Sequence, residues 1–181
     1  YDAIVISPCA FTRCNKLRSA IFSSKSEPSD DMNFSFIDGS AFSRCNCLTN
    51  IELPMNITFI SNALLGFNSQ LTSVIIPHGV TSIGNGAFTN CSSLQLIVIP
   101  QSVTSIGFAA FSQCKKLRSV IFPPKLKVIE QRAFQNCSLL SSITFLSTEM
   151  SIGPLAFSEC AKTISLTLPF CSMKIFNSLT I

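Results

Sequence analysis

The chain has 181 residues, of which 47% are hydrophobic and 12% charged, and its formal net charge is +4. This composition excludes an intrinsically disordered chain, because disorder requires low hydrophobicity together with high net charge. The charge is too small for a dedicated nucleic-acid binder, and no apolar run reaches the roughly 18 residues that a membrane-spanning helix needs. A single His and no Trp leave few side chains for acid-base catalysis.

A 23-residue repeat runs through the chain, and such a period is typical of a solenoid. The first copies carry an Ala-Phe pair followed by Cys and Leu, within residues 10–17 and 41–48. An eight-residue insertion near 23–31 separates them, and its polar composition predicts a protruding loop. The third copy is degenerate, with Leu65 in place of Phe and Asn68 in place of Cys, and regular copies then follow to the end.

Each copy contains apolar residues spaced as on one face of a short helix. Ala87, Phe88, Cys91 and Leu94 fall at i, i+1, i+4 and i+7. The position before these segments is mostly a residue type favoured at helix N-caps: Ser7, Asp38, Ser61, Gly84, Gly107 and Gly153. The sequence therefore predicts a helix of about two turns in each copy.

The segment after each predicted helix reads as a short strand. Its apolar residues alternate, so Ile97 and Ile99 should point inward while Leu96 and Val98 point outward. Pro100 should end the strand, because Pro cannot donate to a ladder. No copy can bury its own apolar face, but stacked copies would share a continuous core.

The string VTSIGNGAFTNCSSLQLIVIP, residues 80–100, resembles the BspA-like, or treponemal-type, class of leucine-rich repeats, and the similarity runs from about Ile4 to about Pro169. The resemblance implies an α/β fold: one right-handed solenoid over residues 1–181, with about seven units. Parallel strands would lie on the concave face and short helices or turns on the convex face. It also implies a surface-exposed or secreted protein that adheres to host matrix, host cells or other microbes, without catalytic residues or a cofactor.

The outward strand positions are the first candidate for partner binding. In three neighbouring units they include β-branched apolar residues that would form a contiguous patch on the concave face. The alternative is that such residues merely suit strands and bind nothing. The predicted partner-binding residues are Ser73, Ile75, Leu96, Val98, Ser119 and Ile121.

A second candidate is a group of basic residues within one and a half units. They are Lys115, Lys116, Arg118, Lys125, Lys127 and Arg132. Such a group could attract a sulfated glycan or another acidic partner. The alternative is an ordinary solvated face, in which some cations complement helix C-termini.

Six of the nine cysteines occupy a single position of the repeat: Cys14, Cys45, Cys91, Cys114, Cys137 and Cys160. We expect them to be buried thiols that pack as small apolar groups. Cys9, Cys47 and Cys171 lie outside this position and could form a disulfide in a secreted protein, although an odd total leaves one thiol unpaired. The absence of a CxxC pair argues against a zinc site.

The remaining features are less specific. His78 is predicted to be an exposed turn residue, because no neighbour completes a catalytic group. Four sequons could accept glycans in a secretory route: Asn33, Asn56, Asn90 and Asn136. Both ends lack polar caps, and Phe170 and Phe176 suggest a buried join, so we expect the natural protein to continue or to self-associate.

The sequence leaves two functions open. The first is a non-catalytic protein-binding or adhesion module that recognises a protein or glycan ligand through the concave sheet. The second is a structural spacer or an intracellular interaction scaffold, in which the repeats set distance and the ligand binds elsewhere.

Overall fold

The computed structural model describes residues 4–22, 34–161 and 164–169, which contain strands and turns and no helix. The predicted insertion near 23–31, together with Asn33, Phe170, Cys171 and Phe176, lies outside these residues. The strands are β1 Ile4–Ile6, β2 Ser19–Ile21, β3 Phe34–Ile37, β4 Asn50–Glu52, β5 Phe59–Ile60, β6 Ser82–Ile83, β7 Ser105–Ile106, β8 Ser119–Phe122, β9 Val128–Ile129, β10 Ser142–Phe145, β11 Ser151–Ile152 and β12 Ser165–Thr167.

The strands pair in parallel, and each partner lies one repeat away along the chain, so the chain coils as a β-solenoid. One side carries the pair β1-β3 and a five-stranded sheet in the order β11-β9-β7-β6-β5. The other side carries β2-β4 and β12-β10-β8, with bridges from Glu52 to Ile75 and from Ser73 to Leu96 in between. The five-stranded sheet corresponds to about five turns of the solenoid, and it does not confirm the predicted count of seven units.

The prediction of helices was wrong: the segments that follow the strands of the five-stranded sheet form consecutive turns. Their amides alternate between two uses, neither of which is the i to i−4 bond of a helix. Ala110 and Ser112 donate backward within the turn, to the carbonyls of Gly107 and Ala109. The Phe111 amide instead donates to Ala133 of the next coil, over 2.7 Å. The turns are thus hydrogen-bonded between coils much as the strands are.

Left-handed backbone conformations make this alternation feasible. Ala109 and Gln113 have φ of 50° and 64°, and the corresponding residues of the next coil, Arg132 and Asn136, both have φ of 58°. These positions place a left-handed residue directly before the Ala-Phe pair and another directly before the Cys. Asn is several-fold enriched in this conformation, so Asn90 and Asn136 were a signal against a helix.

The supposed N-cap position serves a different purpose. A Cβ on Gly107 would lie 2.5 Å from the Oδ1 atom of Asn85 and 2.8 Å from the main-chain nitrogen of the same residue. The same Oδ1 atom accepts a hydrogen bond from the Phe108 amide at 2.8 Å. Glycine at this position therefore permits close approach of the preceding coil, and no helix start is present for it to cap.

The core consists of side-chain ladders that run from coil to coil. Phe88 and Phe111 stack with ring centroids 5.0 Å apart, as do Phe111 and Phe134, and Phe157 continues the stack at 5.4 Å. All four rings are buried. Stacked aromatic pairs add to the free energy of burial, so the repeated Phe both fills the core and sets its register.

Candidate partner-binding surface

The strand face that carries β2, β4, β8, β10 and β12 presents the predicted outward residues to solvent. Ile75 is 76% exposed, Val98 69% and Ile121 59%, whereas their strand neighbours Ile76 and Val120 are buried. Leu96 is 56% exposed, Ser73 is exposed and Ser119 is half-buried. The two-residue period of a strand explains this division, and it is the division that the sequence predicts.

The register places the exposed apolar side chains side by side. Glu52 pairs with Ile75, Ser73 pairs with Leu96, and Ile121 pairs with Thr144. The row of Ile75, Val98 and Ile121 is therefore bounded by a carboxylate on one side and a hydroxyl on the other. We call this row, together with Ser73, Leu96 and Ser119, the strand-face patch. An apolar centre with a polar border is the usual make-up of a recognition surface.

A depression of about 280 Å³ adjoins the strand-face patch at Ile75. Its lining includes Phe22, Glu52 and Met55, and the Met55 side chain is 59% exposed. Met55 could not be inferred from the alternating pattern of the sequence, because the residue follows the Pro that ends a strand and lies outside that pattern. An exposed Met directly after such a Pro was the available signal.

The six basic side chains of the second candidate are all exposed, but they lie in or beside three short backbone turns that follow one another within a single coil. Lys115, Lys116 and Arg118 precede β8, Lys125 and Lys127 lie between β8 and β9, and Arg132 follows β9. Lys125 and Lys127 line a depression of about 390 Å³ with Glu149. The fold therefore distributes these residues over three turns and does not bring all six into one pocket.

The repeated cysteines hold main-chain carbonyls of the preceding coil. Sγ of Cys114 donates to the Phe88 carbonyl at 3.3 Å, and Sγ of Cys137 donates to Phe111 at 3.2 Å. The prediction that the thiols are buried is confirmed for Cys45, Cys91, Cys114 and Cys137. It was wrong for Cys14, which is exposed, and Cys160 is only partly buried, because both lie in outer coils of the described stack.

Burial also makes the thiolate form of these cysteines unfavourable. It raises the pKa of Cys91 to about 12 and that of Cys160 to about 11. The pKa values of Cys45, Cys114 and Cys137 are raised for the same reason, the loss of solvation by a thiolate. Since the thiolate is the nucleophile and metal ligand, the raised pKa values disfavour such chemistry at these cysteines near neutral pH.

Asn68 replaces the Cys in the degenerate copy and reproduces its hydrogen bond. Its Nδ2 atom donates to the Phe42 carbonyl at 2.9 Å and to the Leu65 carbonyl at 2.8 Å. The Oδ1 atom is buried and accepts no hydrogen bond. The amide thus keeps the donor function of the thiol and adds an unsatisfied acceptor.

The other residues singled out in the sequence are dispersed. Cys9 and Cys47 are exposed free thiols, and His78 is exposed in a turn. The sequon residue Asn56 is exposed. Asn90 and Asn136 are half-buried in left-handed turn positions.

The described residues contain neither a cluster of metal ligands nor a membrane-spanning helix. Within residues 4–22, 34–161 and 164–169, no three or more His, Cys, Asp or Glu side chains come together as metal ligands. The described part of the chain also has no helix with the length and apolarity to cross a bilayer.

Comparisons with known proteins agree with this geometry. A family model described as the BspA type leucine rich repeat region matches in six copies, over residues 2–91 and 66–179. No curated protein matches the chain. Among solved structures, a leucine-rich repeat protein from Bacteroides ovatus is similar with 26% sequence identity and a TM-score of 0.64, covering 88% of this chain and 45% of that protein.

Two further solved structures share the fold. The leucine-rich repeat protein of T. pallidum is 23% identical with a TM-score of 0.65, over 82% of this chain and 72% of that one. A leucine-rich cell surface protein from Faecalibacterium prausnitzii is 22% identical with a TM-score of 0.55, over 92% of this chain and 60% of that one. The chain spans about half the length of the Bacteroides ovatus protein that it matches.

Proposed function

Because the chain belongs to the BspA-type leucine-rich-repeat family, we propose that it is a non-catalytic binding or adhesion module of a surface-exposed or secreted protein. Leucine-rich repeats generally act as protein-interaction modules and are typically non-catalytic. The proposed binding surface is the strand-face patch, on what would be the concave side of the solenoid. The proposed partner is a protein or glycan of the host matrix or cell surface.

One observation carries the proposal: three adjacent coils expose β-branched apolar side chains at the same strand position. Ile75, Val98 and Ile121 are each more than half exposed. Single exposed apolar residues are normal, but a contiguous group marks an interaction site. Solenoids use such extended surfaces for binding because the coils hold neighbouring side chains at a fixed spacing.

Support for the proposed location comes from one relative. The Faecalibacterium prausnitzii protein is described as a cell surface protein. The exposed sequon at Asn56 would be usable in a secretory route. The basic residues of the three turns remain a candidate surface for an acidic partner, and the ends of the solenoid remain a candidate for self-association.

An array of purified matrix proteins, cell-surface glycoproteins and sulfated glycans tests the proposal. We expect the isolated, folded chain to bind at least one matrix or cell-surface component, and to do so saturably. A chain that binds none of them while retaining its cooperative unfolding transition would favour the spacer alternative. Two measurements on the natural protein address its location. Mass analysis detects attached glycans, which would contradict an intracellular scaffold. Counting reactive thiols before and after denaturation shows whether the cysteines are free, as they would be in a reducing compartment.

A further inference from the structure

A second surface lies on the turn side of the solenoid, away from the strands. Arg13 and Arg44 stand directly before Cys14 and Cys45 and have left-handed φ values of 61° and 60°. The amide of Arg13 donates to the Ser43 carbonyl and that of Arg44 to the Gly66 carbonyl, each over 2.9 Å. Both backbones are therefore fixed, and adjacent coils lie about 4.8 Å apart.

These two arginines line a groove of about 660 Å³ that crosses four coils. We call it the arginine groove. Its lining consists of two guanidinium groups, four carboxamides, one hydroxyl and one aromatic ring. In chain order, the residues are Arg13, Asn15, Arg44, Asn46, Phe67, Ser69, Gln70 and Asn90. No Asp or Glu is among these described lining residues, so no carboxylate within the groove neutralises the two cations.

The groove is also preorganised. The guanidinium carbon of Arg44 lies 4.3 Å from the centroid of the Phe67 ring, which is a cation-π contact. The Phe67 amide donates to the Thr89 carbonyl at 2.6 Å, so the backbone that carries this ring is anchored to the next coil. Since a guanidinium stacked on a ring loses little further entropy on binding an anion, Arg44 is ready to make a forked hydrogen bond.

We propose that the arginine groove binds an oligosaccharide that carries a carboxylate or sulfate group. Guanidinium groups pair with these anions through two parallel hydrogen bonds. Carboxamides both donate and accept, as sugar hydroxyls do, and the groove holds twice as many carboxamides as cations. A polyphosphate or nucleic-acid chain is a poorer fit, because affinity for such a chain needs many cations and the groove has two.

This site is independent of the strand-face patch, since it lies on the turns and recognises a charged ligand. The repeat pattern of the sequence does not reveal this site, because the insertion spaces the two arginines 31 residues apart rather than 23. An Arg before the Cys in consecutive copies was the signal. The corresponding later positions carry Phe67, Asn90, Gln113, Asn136 and Glu159.

Calorimetric titration of the folded chain with sialyllactose, a sulfated lactose and lactose itself tests the proposal. We expect at least one charged sugar to bind. Lactose should bind at least about tenfold more weakly, because it lacks the charged group and loses the hydrogen bonds to that group. The carboxylate and sulfate arms show which anion is preferred. An acidic hexapeptide serves as the competing ligand class.

The test variant is Arg13→Asn with Arg44→Asn, which should fold because Asn occupies the same left-handed position in other coils. It should weaken binding of the charged sugar about tenfold or more. The charge-matched control is Lys16→Asn with Arg18→Asn, which changes exposed residues of the same coil outside the groove and should leave Kd unchanged. Arg44→Lys keeps the charge but loses the fork, and should weaken binding as well.

Four outcomes would overturn the proposal. They are binding of neither charged sugar, equal binding of lactose, equal losses in the test and control variants, and tighter binding of the acidic peptide than of either sugar. Equal losses would show general electrostatic attraction rather than a built groove. The unfolding midpoint of each variant, measured in parallel, separates loss of binding from loss of fold.

Discussion

At the scale of the residue, the repeated Cys and its one replacement by Asn show what this position does. Sγ of Cys91 donates to the Leu65 carbonyl at 3.2 Å, and Asn68 makes the equivalent bond to Phe42 through Nδ2. The position thus requires a small buried donor, and packing volume alone does not define it. Burying an unsatisfied acceptor costs free energy, so the Oδ1 atom of Asn68 makes the degenerate coil a weak point.

We expect Asn68→Cys to stabilise the protein by about 1 kcal/mol, because the introduced thiol would keep the bond to Phe42 and remove the orphaned acceptor. The reverse change in a regular coil, Cys137→Asn, should destabilise by about 1–3 kcal/mol. Urea unfolding of both variants measures the two effects. A loss of stability in Asn68→Cys would show that the amide is preferred at this position, contrary to the account.

At the scale of the element, the strands were predictable and the turns were not. Alternation in residues 96–99 predicts which side chains face solvent, because a strand has only two faces. Spacing at i, i+1, i+4 and i+7 predicted a helix for residues 87–94, yet the same spacing also suits turns whose alternate amides bond to the next coil. That choice depends on neighbouring coils, which no local pattern contains, and only residues such as Asn90 carried a local sign of left-handed backbone.

The ladder of buried thiols along these turns predicts a loss of stability at alkaline pH. Burial raises the pKa of Cys91 from 9.0 to about 12, so the unfolded chain loses its proton first as the pH rises. The free energy of unfolding should therefore be unaffected by this group at neutral pH and should fall as the pH climbs from about 9 toward 12. Urea unfolding at pH 8 and at about pH 10 measures the drop.

The matched control for this prediction is Cys91→Ala, which removes one titrating thiol and leaves Lys and Tyr in place. Its unfolding free energy should fall less between the two pH values than that of the parent chain. An equal fall in both proteins would show that the buried thiol does not contribute. Thiol reagents provide a second readout, since the exposed Cys9 and Cys47 should react at once and Cys91 only after unfolding.

At the scale of the whole molecule, one rigid frame displays two chemically different surfaces. The strand-face patch was predictable, because its residues recur at the repeat period and alternate with core positions. The arginine groove was not, because its residues come from four coils and the insertion breaks the spacing between the first two of them in the sequence. A solenoid forms a surface from side chains that are one period apart in the sequence. Where the period is interrupted, residues that are neighbours in space are no longer one period apart, so the sequence pattern does not pair them.

Recognition of the partner through the strand-face patch can be tested by comparing two double variants. Ile75→Lys with Val98→Lys changes the patch, whereas Phe108→Lys with Leu139→Lys adds the same charge at exposed apolar residues in the turns. With the matrix component that the array identifies, we expect the patch variant to bind at least about tenfold more weakly, while the turn variant keeps the parent Kd. Undiminished binding by a folded patch variant, or equal losses in both, would contradict recognition through the patch.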